Sequence, residues 1–393
     1  MHKESQYLLK TLKSFIHNEN PGTFSGDWKK LIQLSQVHSV TSILGYMVMN
    51  YPQETAGVYG EALRKHCLES IGLYSQKAEC MKALIEQMNQ KGIEHLLFKG
   101  FVLREYYPVP ELRTFGDIDF LIQQDDRKRC DALMMELGFQ RETDWEPVYS
   151  YRKGVEHYEI HTDVMEVDVS DRADYQKYFS HTWERAKLKE GQTYVFSPED
   201  HLIYVLTHIA KHINGSGAGI RMYLDVAVFL KYFEGKLNVE YLQQELEKLA
   251  FKDFSNMVFT LVEKVFEVKS PLSLWNIPED IFQDFLEFTM KGGTFGKVGR
   301  DAGLISLKQT TQEGEEVSRG KTLRKRLFPS AGSIESRYTY LRGKHWLLPI
   351  AWVHRFFKTR DTWGEHSREA KSIMKTDKEK VERLQRIYKE IGL

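Results

Sequence analysis

The heptapeptide Gly116-Asp117-Ile118-Asp119-Phe120-Leu121-Ile122 sets the tightest constraint on how this chain folds. Its alternation reads as a strand, in which residues two apart share a side, so Asp117 and Asp119 project together. Phe120, Leu121 and Ile122 anchor that strand in a core and leave the acids at its opening end. Two carboxylates held close repel each other unless a cation lies between them, and hard oxygen donors of this kind suit Mg²⁺. The bland alternative is a pair of solvated acids at a turn, and D-x-D by itself does not exclude it.

The surroundings place this strand in an α/β unit between helical flanks. From Leu63 the apolar positions run Leu63, Cys67, Ile71, Tyr74, Ala78, Met81, Ile85 and Met88, steps of three and four that trace one face of a long helix ended by Asn89, Lys91 and Gly92. Glu94 to Phe98 is a short strand candidate stopping at Lys99-Gly100, and a helical segment Phe101 to Tyr107 is broken by Pro108 and Pro110. Asp125 and Asp126 cap a helix that closes at Gly138, and strand candidates follow at Val148 to Arg152 and Val155 to His161. Ser197-Pro198-Glu199-Asp200 is a helix start with a capping serine and a proline in the first turn. Helical patterning then continues to about Met290. The expected organisation is a helical region 1–90, an α/β core 91–196, a helical companion 197–290, a linker or mobile loop 291–320, and a helical region 321–393 ending in a charged helix Lys371 to Ile391.

Composition narrows the function classes. The chain has 393 residues, enough for two or three structural units. Its 55 Lys and Arg balance 55 Asp and Glu, which argues against a dedicated nucleic-acid binder but leaves room for a local basic cleft. Three cysteines, Cys67, Cys80 and Cys130, are too few and too scattered for a disulfide framework or a cysteine zinc site. The polar N-terminus lacks the apolar run of a signal peptide. The most apolar late stretch, His345 to Phe357, is short and carries His354 and Arg355, whereas a spanning helix needs about 20 apolar residues. A cytoplasmic protein with no membrane partner is the expectation.

The run LLFKGFVLREYYPVPELRTFGDIDFLI resembles the uncharacterised nucleotidyltransferase branch of the DNA polymerase β superfamily. The matching residues are Lys99-Gly100, Tyr107-Pro108, Arg113 and Gly116 to Asp119. Tyr158-Glu159-Ile160-His161 is similar to that family's later Glu-x-His strand, Phe179 with Trp183 to Ala186 to its following segment, and Ser197 to Asp200, His208, Lys211-His212, Arg221 and Asp225 to its helical companion. The resemblance runs from about residue 25 to about residue 230. It implies an α+β fold, with a small mixed-sheet polymerase β-type core flanked by N- and C-terminal helical regions. Two departures stand out: Phe101 replaces the small residue that the wider superfamily places after the glycine, and the gap from Gly100 to Asp117 is longer than the common spacing.

The same resemblance implies roles. Asp117 and Asp119 would hold Mg²⁺, or Mn²⁺, against a nucleoside triphosphate such as ATP. Glu159 is the third carboxylate implied for the second metal position, with Glu166 and Asp168 as the competing pair. Lys99, Gly100, Arg113 and Gly116 would meet the phosphates. On the helix after Pro198, Leu202, Val205, Leu206, Ile209 and Ile213 form an apolar arc, and His201, Tyr204, His208, Lys211 and His212 an adjoining polar one. Lys211 is the preferred nucleotide contact there. His208 and His212, four apart, also fit half of a zinc site, without a third ligand in view. Arg221 and Asp225, four apart, can pair with each other. The implied reaction is transfer of a nucleoside monophosphate to an unknown acceptor, a small molecule or a protein, with pyrophosphate release. A non-catalytic nucleotide sensor and a helical interaction scaffold are the alternatives.

Overall fold

The computed structural model describes all residues except 146–147, 166–168, 216, 294–306, 308–317, 335–337, 342 and 359–369. Four helices open the chain: α1 (Lys3–His17), α2 (Trp28–Val37), α3 (Thr41–Asn50) and the 33-residue α4 (Val58–Gln90). The three-and-four stripe on α4 serves two cores. Leu63 and Cys67 enter the large helical core, and Met81, Leu84 and Met88 cover the sheet.

The sheet has seven strands: β1 (His95–Leu97), β2 (Ile118–Ile122), β3 (Gln140–Trp145), β4 (Val148–Lys153), β5 (Glu156–His161), β6 (Lys187–Glu190) and β7 (Thr193–Val195). Their spatial order is β3-β4-β5-β2-β1-β7-β6. The pairs β2–β5 and β1–β7 are parallel and the remaining neighbours antiparallel, so the sheet is mixed, within an α+β fold. Alternation along β2 divides its side chains. Ile118, Phe120 and Ile122 pack with Tyr158, Ile160, the α4 methionines and α6 (Arg127–Glu136), while Leu121 joins Leu96 and Phe98 in the helical core on the other face.

Strand and helix edges differ from expectation in informative ways. β2 begins at Ile118, and Asp117 stands in the bend before it. The segment expected as a helix from Phe101 is a five-residue α5 (Lys99–Leu103) running into a 3-10 turn, Arg104–Tyr106. Strands β3, β6 and β7 carry too few apolar residues to declare themselves, and their register is set by their neighbours. The charged helix expected over Lys371 to Ile391 is interrupted at 376–377, where the Asp377 carboxylate accepts from the Glu379 N–H and starts a new helix, Lys378–Glu390. Most of the stretch expected as a linker, 291–320, falls outside the described residues.

Two short helices, α7 (Tyr175–Ser180) and α8 (Thr182–Arg185), lie between β5 and β6, and the companion helices α9 (Pro198–Gly215), α10 (Ile220–Tyr232), α11 (Val239–Lys248), α12 (Lys252–Phe266) and α13 (Glu279–Gly292) follow β7. The Ser197 hydroxyl accepts from the Asp200 N–H at 3.1 Å, capping α9 as its sequence predicts. The apolar arc Leu202, Val205, Leu206, Ile209 and Ile213 is buried, which lays α9 against the sheet face that carries Asp119. Among the described residues, no helix is long and apolar enough to cross a membrane.

Candidate active site

Parallel pairing of β2 with β5 sets Asp119 directly beside Glu159 and Leu121 beside His161. Glu159 and His161, two apart on one strand, share the face that Asp119 occupies. Ligand atoms of Asp119, Glu159 and His161 all lie within 4.8 Å of one another. Asp119 Oδ1 accepts from Lys99 Nζ at 2.5 Å and from His161 Nε2 at 2.9 Å. Burial by itself pushes the Asp119 carboxyl up. The Lys99 ammonium and the His161 bond outweigh it and hold Asp119 well below the usual carboxylate range. In the opposite sense burial lowers Lys99, and the Asp119 charge more than restores it, so the pair is ionised.

Lys99 reaches this position from an unusual backbone. It has φ +56°, in the left-handed region that side-chain-bearing residues rarely adopt. The conformation turns the chain out of β1 and brings the lysine back over Phe98, 5.4 Å from the ring centroid, toward Asp119. Helix α9 closes the other side. Tyr204 stands edge-on to Phe98 with centroids 5.2 Å apart and stacks on His208 at 6.0 Å. His208 and His212 share a hydrogen bond between their Nε2 atoms at 3.1 Å. Burial, then the Lys211 and Lys99 charges, push His212 down to about 4, and His208 falls well below its ordinary value through burial and the same surroundings. The half-buried Lys211 is therefore close enough to bear on both imidazoles.

Other expected members lie elsewhere. Asp117 is half-buried at the rim and outside the Asp119–Glu159–His161 group, its charge felt by Lys77, Arg152 and His157. Gly116 is exposed, and its carbonyl accepts from Lys77 Nζ at 3.1 Å. Arg113 turns away from the carboxylates: its Nε and Nη2 donate to Asp225 Oδ1 and Oδ2 on α10 at 3.0 and 2.9 Å. Tyr107 OH donates to the same Oδ1 at 2.7 Å, and Arg221 Nη1 is 3.6 Å from Oδ2, so the expected Arg221–Asp225 pair exists but is secondary to Arg113. A Cβ on Gly100 would collide with the Arg113 guanidinium, which explains glycine at that position. The competing acids Glu166 and Asp168 fall outside the described residues.

Two residues were missed as site members. His161 carries no ligand role in the sequence reading, although its two-residue spacing from Glu159 on a strand puts both on one face. Lys77 was not singled out, although a lysine three beyond Tyr74 and four before Met81 falls on the apolar stripe of α4, and a buried lysine needs acceptors. It finds them in the carbonyls of Phe115 and Gly116.

The donor set of two carboxylates and one imidazole fits a divalent cation, with the imidazole suiting Mn²⁺ or a later metal better than Mg²⁺. The Lys99 ammonium already neutralises Asp119 through its Oδ1. No curated protein and no solved structure matches the chain. Residues 25–267, from the turn before α2 to the end of α12, match a family model described as an uncharacterised nucleotidyltransferase. With more than half of its length and every residue of the carboxylate group inside that match, the chain belongs to this nucleotidyltransferase family.

Proposed function

We propose that the protein transfers a nucleoside monophosphate from a nucleoside triphosphate to a hydroxyl or amine acceptor on a small molecule or a protein. The observation that carries this reading is the convergence of Asp119, Glu159 and His161 beside Lys99, within a chain of the nucleotidyltransferase family. Asp119, Glu159 and His161 would hold the cation that accompanies the triphosphate, with Asp117 at the rim as a further carboxylate. A bound Mg²⁺ or Mn²⁺ supplies neutralisation of the triphosphate charge and in-line alignment of the reacting oxygens. Lys99, now paired with Asp119, would be available to a phosphate oxygen once that carboxylate held a cation, and Lys211 on α9 would meet the triphosphate from the side of the histidines. Arg113 acts through Gly100 as a positioning residue, keeping the turn after β1 in place.

In the transfer, a bond forms from the acceptor atom to the α-phosphorus as the bond to the bridging oxygen breaks. Pyrophosphate leaves with that electron pair. The acceptor proton passes to Glu159. Most of the rate comes from positioning and charge neutralisation. Titration of ATP with Mn²⁺ into wild type, Asp119→Asn and Glu159→Gln tests the reading. Metal-dependent ATP binding should weaken at least about tenfold in Asp119→Asn, equivalent to about 1.4 kcal/mol. Undiminished binding in both variants sinks the proposal.

The tight Lys99–Asp119 pair also suits a second reading, a sensor that binds nucleotide without turning it over. Pyrophosphate release in the presence of acceptors separates the two. If the chain were a scaffold alone, ATP would leave its thermal stability unchanged.

A further inference from the structure

We infer that the helix Arg319–Leu327 with Phe328, together with the segment His345–Phe356, forms a docking surface for an anionic lipid bilayer. It lies outside the family-matched residues and is independent of the nucleotide site. The chain balances 55 basic against 55 acidic residues overall, yet along the sequence the stretch 318–358 that contains these elements holds ten Lys and Arg against a single Glu. A charge asymmetry of this size inside a neutral protein points to an anionic partner.

The apolar half of the argument lies on the helix Leu348–Lys358 and the 3-10 turn His345–Leu347 before it. One side of that helix is already used: Ala351 is buried with Ile334, Tyr338 and Leu341, and Leu348 and Trp352 pack against them. The other side is apolar as well, and faces solvent. Trp346, Ile350 and Val353, spaced i, i+4 and i+7, are 76%, 58% and 58% exposed, and Phe356 extends the edge of this stripe.

The basic end of the helix Arg319–Leu327 is fastened beside this stripe. Phe328 stands edge-on to Trp352 with centroids 5.1 Å apart, Trp352 Nε1 donates to the Pro329 carbonyl at 2.9 Å, and Arg355 Nη1 donates to the Arg326 carbonyl at 2.8 Å. Arg324, Lys325, Arg326, Leu327 and Phe328 are all exposed, so the surface alternates cations with large apolar groups.

Phosphate groups of nucleic acid would satisfy the arginines but offer nothing to Ile350 and Val353. A second copy of the chain would bring an equally basic face and repel it. Anionic lipid meets both requirements: headgroups pair with the cations, and the aromatic and aliphatic side chains enter the boundary between headgroups and acyl chains. The short apolar stretch that forbids spanning is no obstacle to lying in the interface.

Cosedimentation of the full chain with phosphatidylcholine vesicles containing roughly 30 mol% phosphatidylglycerol tests this, beside pure phosphatidylcholine vesicles and a DNA duplex as competitor. The expected result is binding to the anionic vesicles that weakens with salt and drops at least about tenfold in Ile350→Asp/Val353→Asp. Both positions are exposed, so the variant keeps the fold, which an unchanged thermal midpoint verifies. A blue shift of tryptophan emission on vesicle addition should be reduced in Trp346→Ala. Absence of binding to anionic vesicles, retention of binding in the double variant, or displacement of the vesicles by DNA would each overturn the inference.

Discussion

Removing the Asp225 carboxylate should unlatch the sheet from the helical companion. Asp225 accepts from Tyr107 OH at 2.7 Å and from Arg113 at 3.0 and 2.9 Å, with Arg221 a further 3.6 Å contact. Arg113 and Arg221 are only 6% and 8% exposed, so in Asp225→Ala two buried guanidinium groups face each other without a counter-charge. Burial, and then the Arg113 charge, already lower Arg221, a sign of the repulsion that Asp225 offsets. Stripping one partner from a buried pair of this kind costs about 3–5 kcal/mol. Urea unfolding followed by tryptophan fluorescence and near-UV circular dichroism measures the loss. Because the Arg113 guanidinium lies against Gly100, the same variant should also bind ATP more weakly. Arg113→Met combined with Asp225→Ala should recover part of the stability, giving a coupling above about 1 kcal/mol in a double-mutant cycle. A loss below about 1 kcal/mol for Asp225→Ala, or strictly additive single effects, would refute the latch.

Gly100→Ala should destabilise the protein by about 1–3 kcal/mol through overpacking against Arg113, and lower ATP affinity with it; an unchanged unfolding free energy and affinity would show that Arg113 moves aside freely. His38 is fully buried, with Nε2 on the Met290 carbonyl at 3.1 Å and Nδ1 accepting from the Ile220 N–H at 3.3 Å, an arrangement that requires the neutral ring. Burial pushes it down to about 4. The unfolded chain therefore takes up its proton first, and stability should fall as pH drops from about 6.5 toward 4, by about 1.4 kcal/mol per unit for this group. His38→Gln should flatten part of that slope in urea titrations at pH 7 and pH 5, and an identical slope would discount His38.

The core of the site was legible because strand periodicity and residue chemistry are local. Alternation in Asp119-Phe120-Leu121-Ile122 and in Tyr158-Glu159-Ile160-His161 is enough to say which side chains share a face. It says nothing about which strands become neighbours. Only pairing of β2 with β5 in parallel register brings Asp119 to Glu159 and adds His161 to the donor set. Asp117 shows the limit of the local argument. Two residues from Asp119, it was expected to point with it, yet the strand starts one residue later and Asp117 stays at the rim.

Arg113 marks the same limit for charge. Its place between Gly100 and Gly116 suggested phosphate, but a buried carboxylate 112 residues away on α10 holds it. Sequence by itself determined the α+β class, the capped start of α9 and the face that Asp119, Glu159 and His161 each take on their strands, because all of these depend on neighbours along the chain. Tertiary structure decided that Lys99 settles on Asp119, that Arg113 becomes a latch and that Lys77 supports the Gly116 turn. Each of those outcomes depends on which opposite charge or free carbonyl the packed core brings within about 3 Å, the range over which a desolvated cation must find its partner.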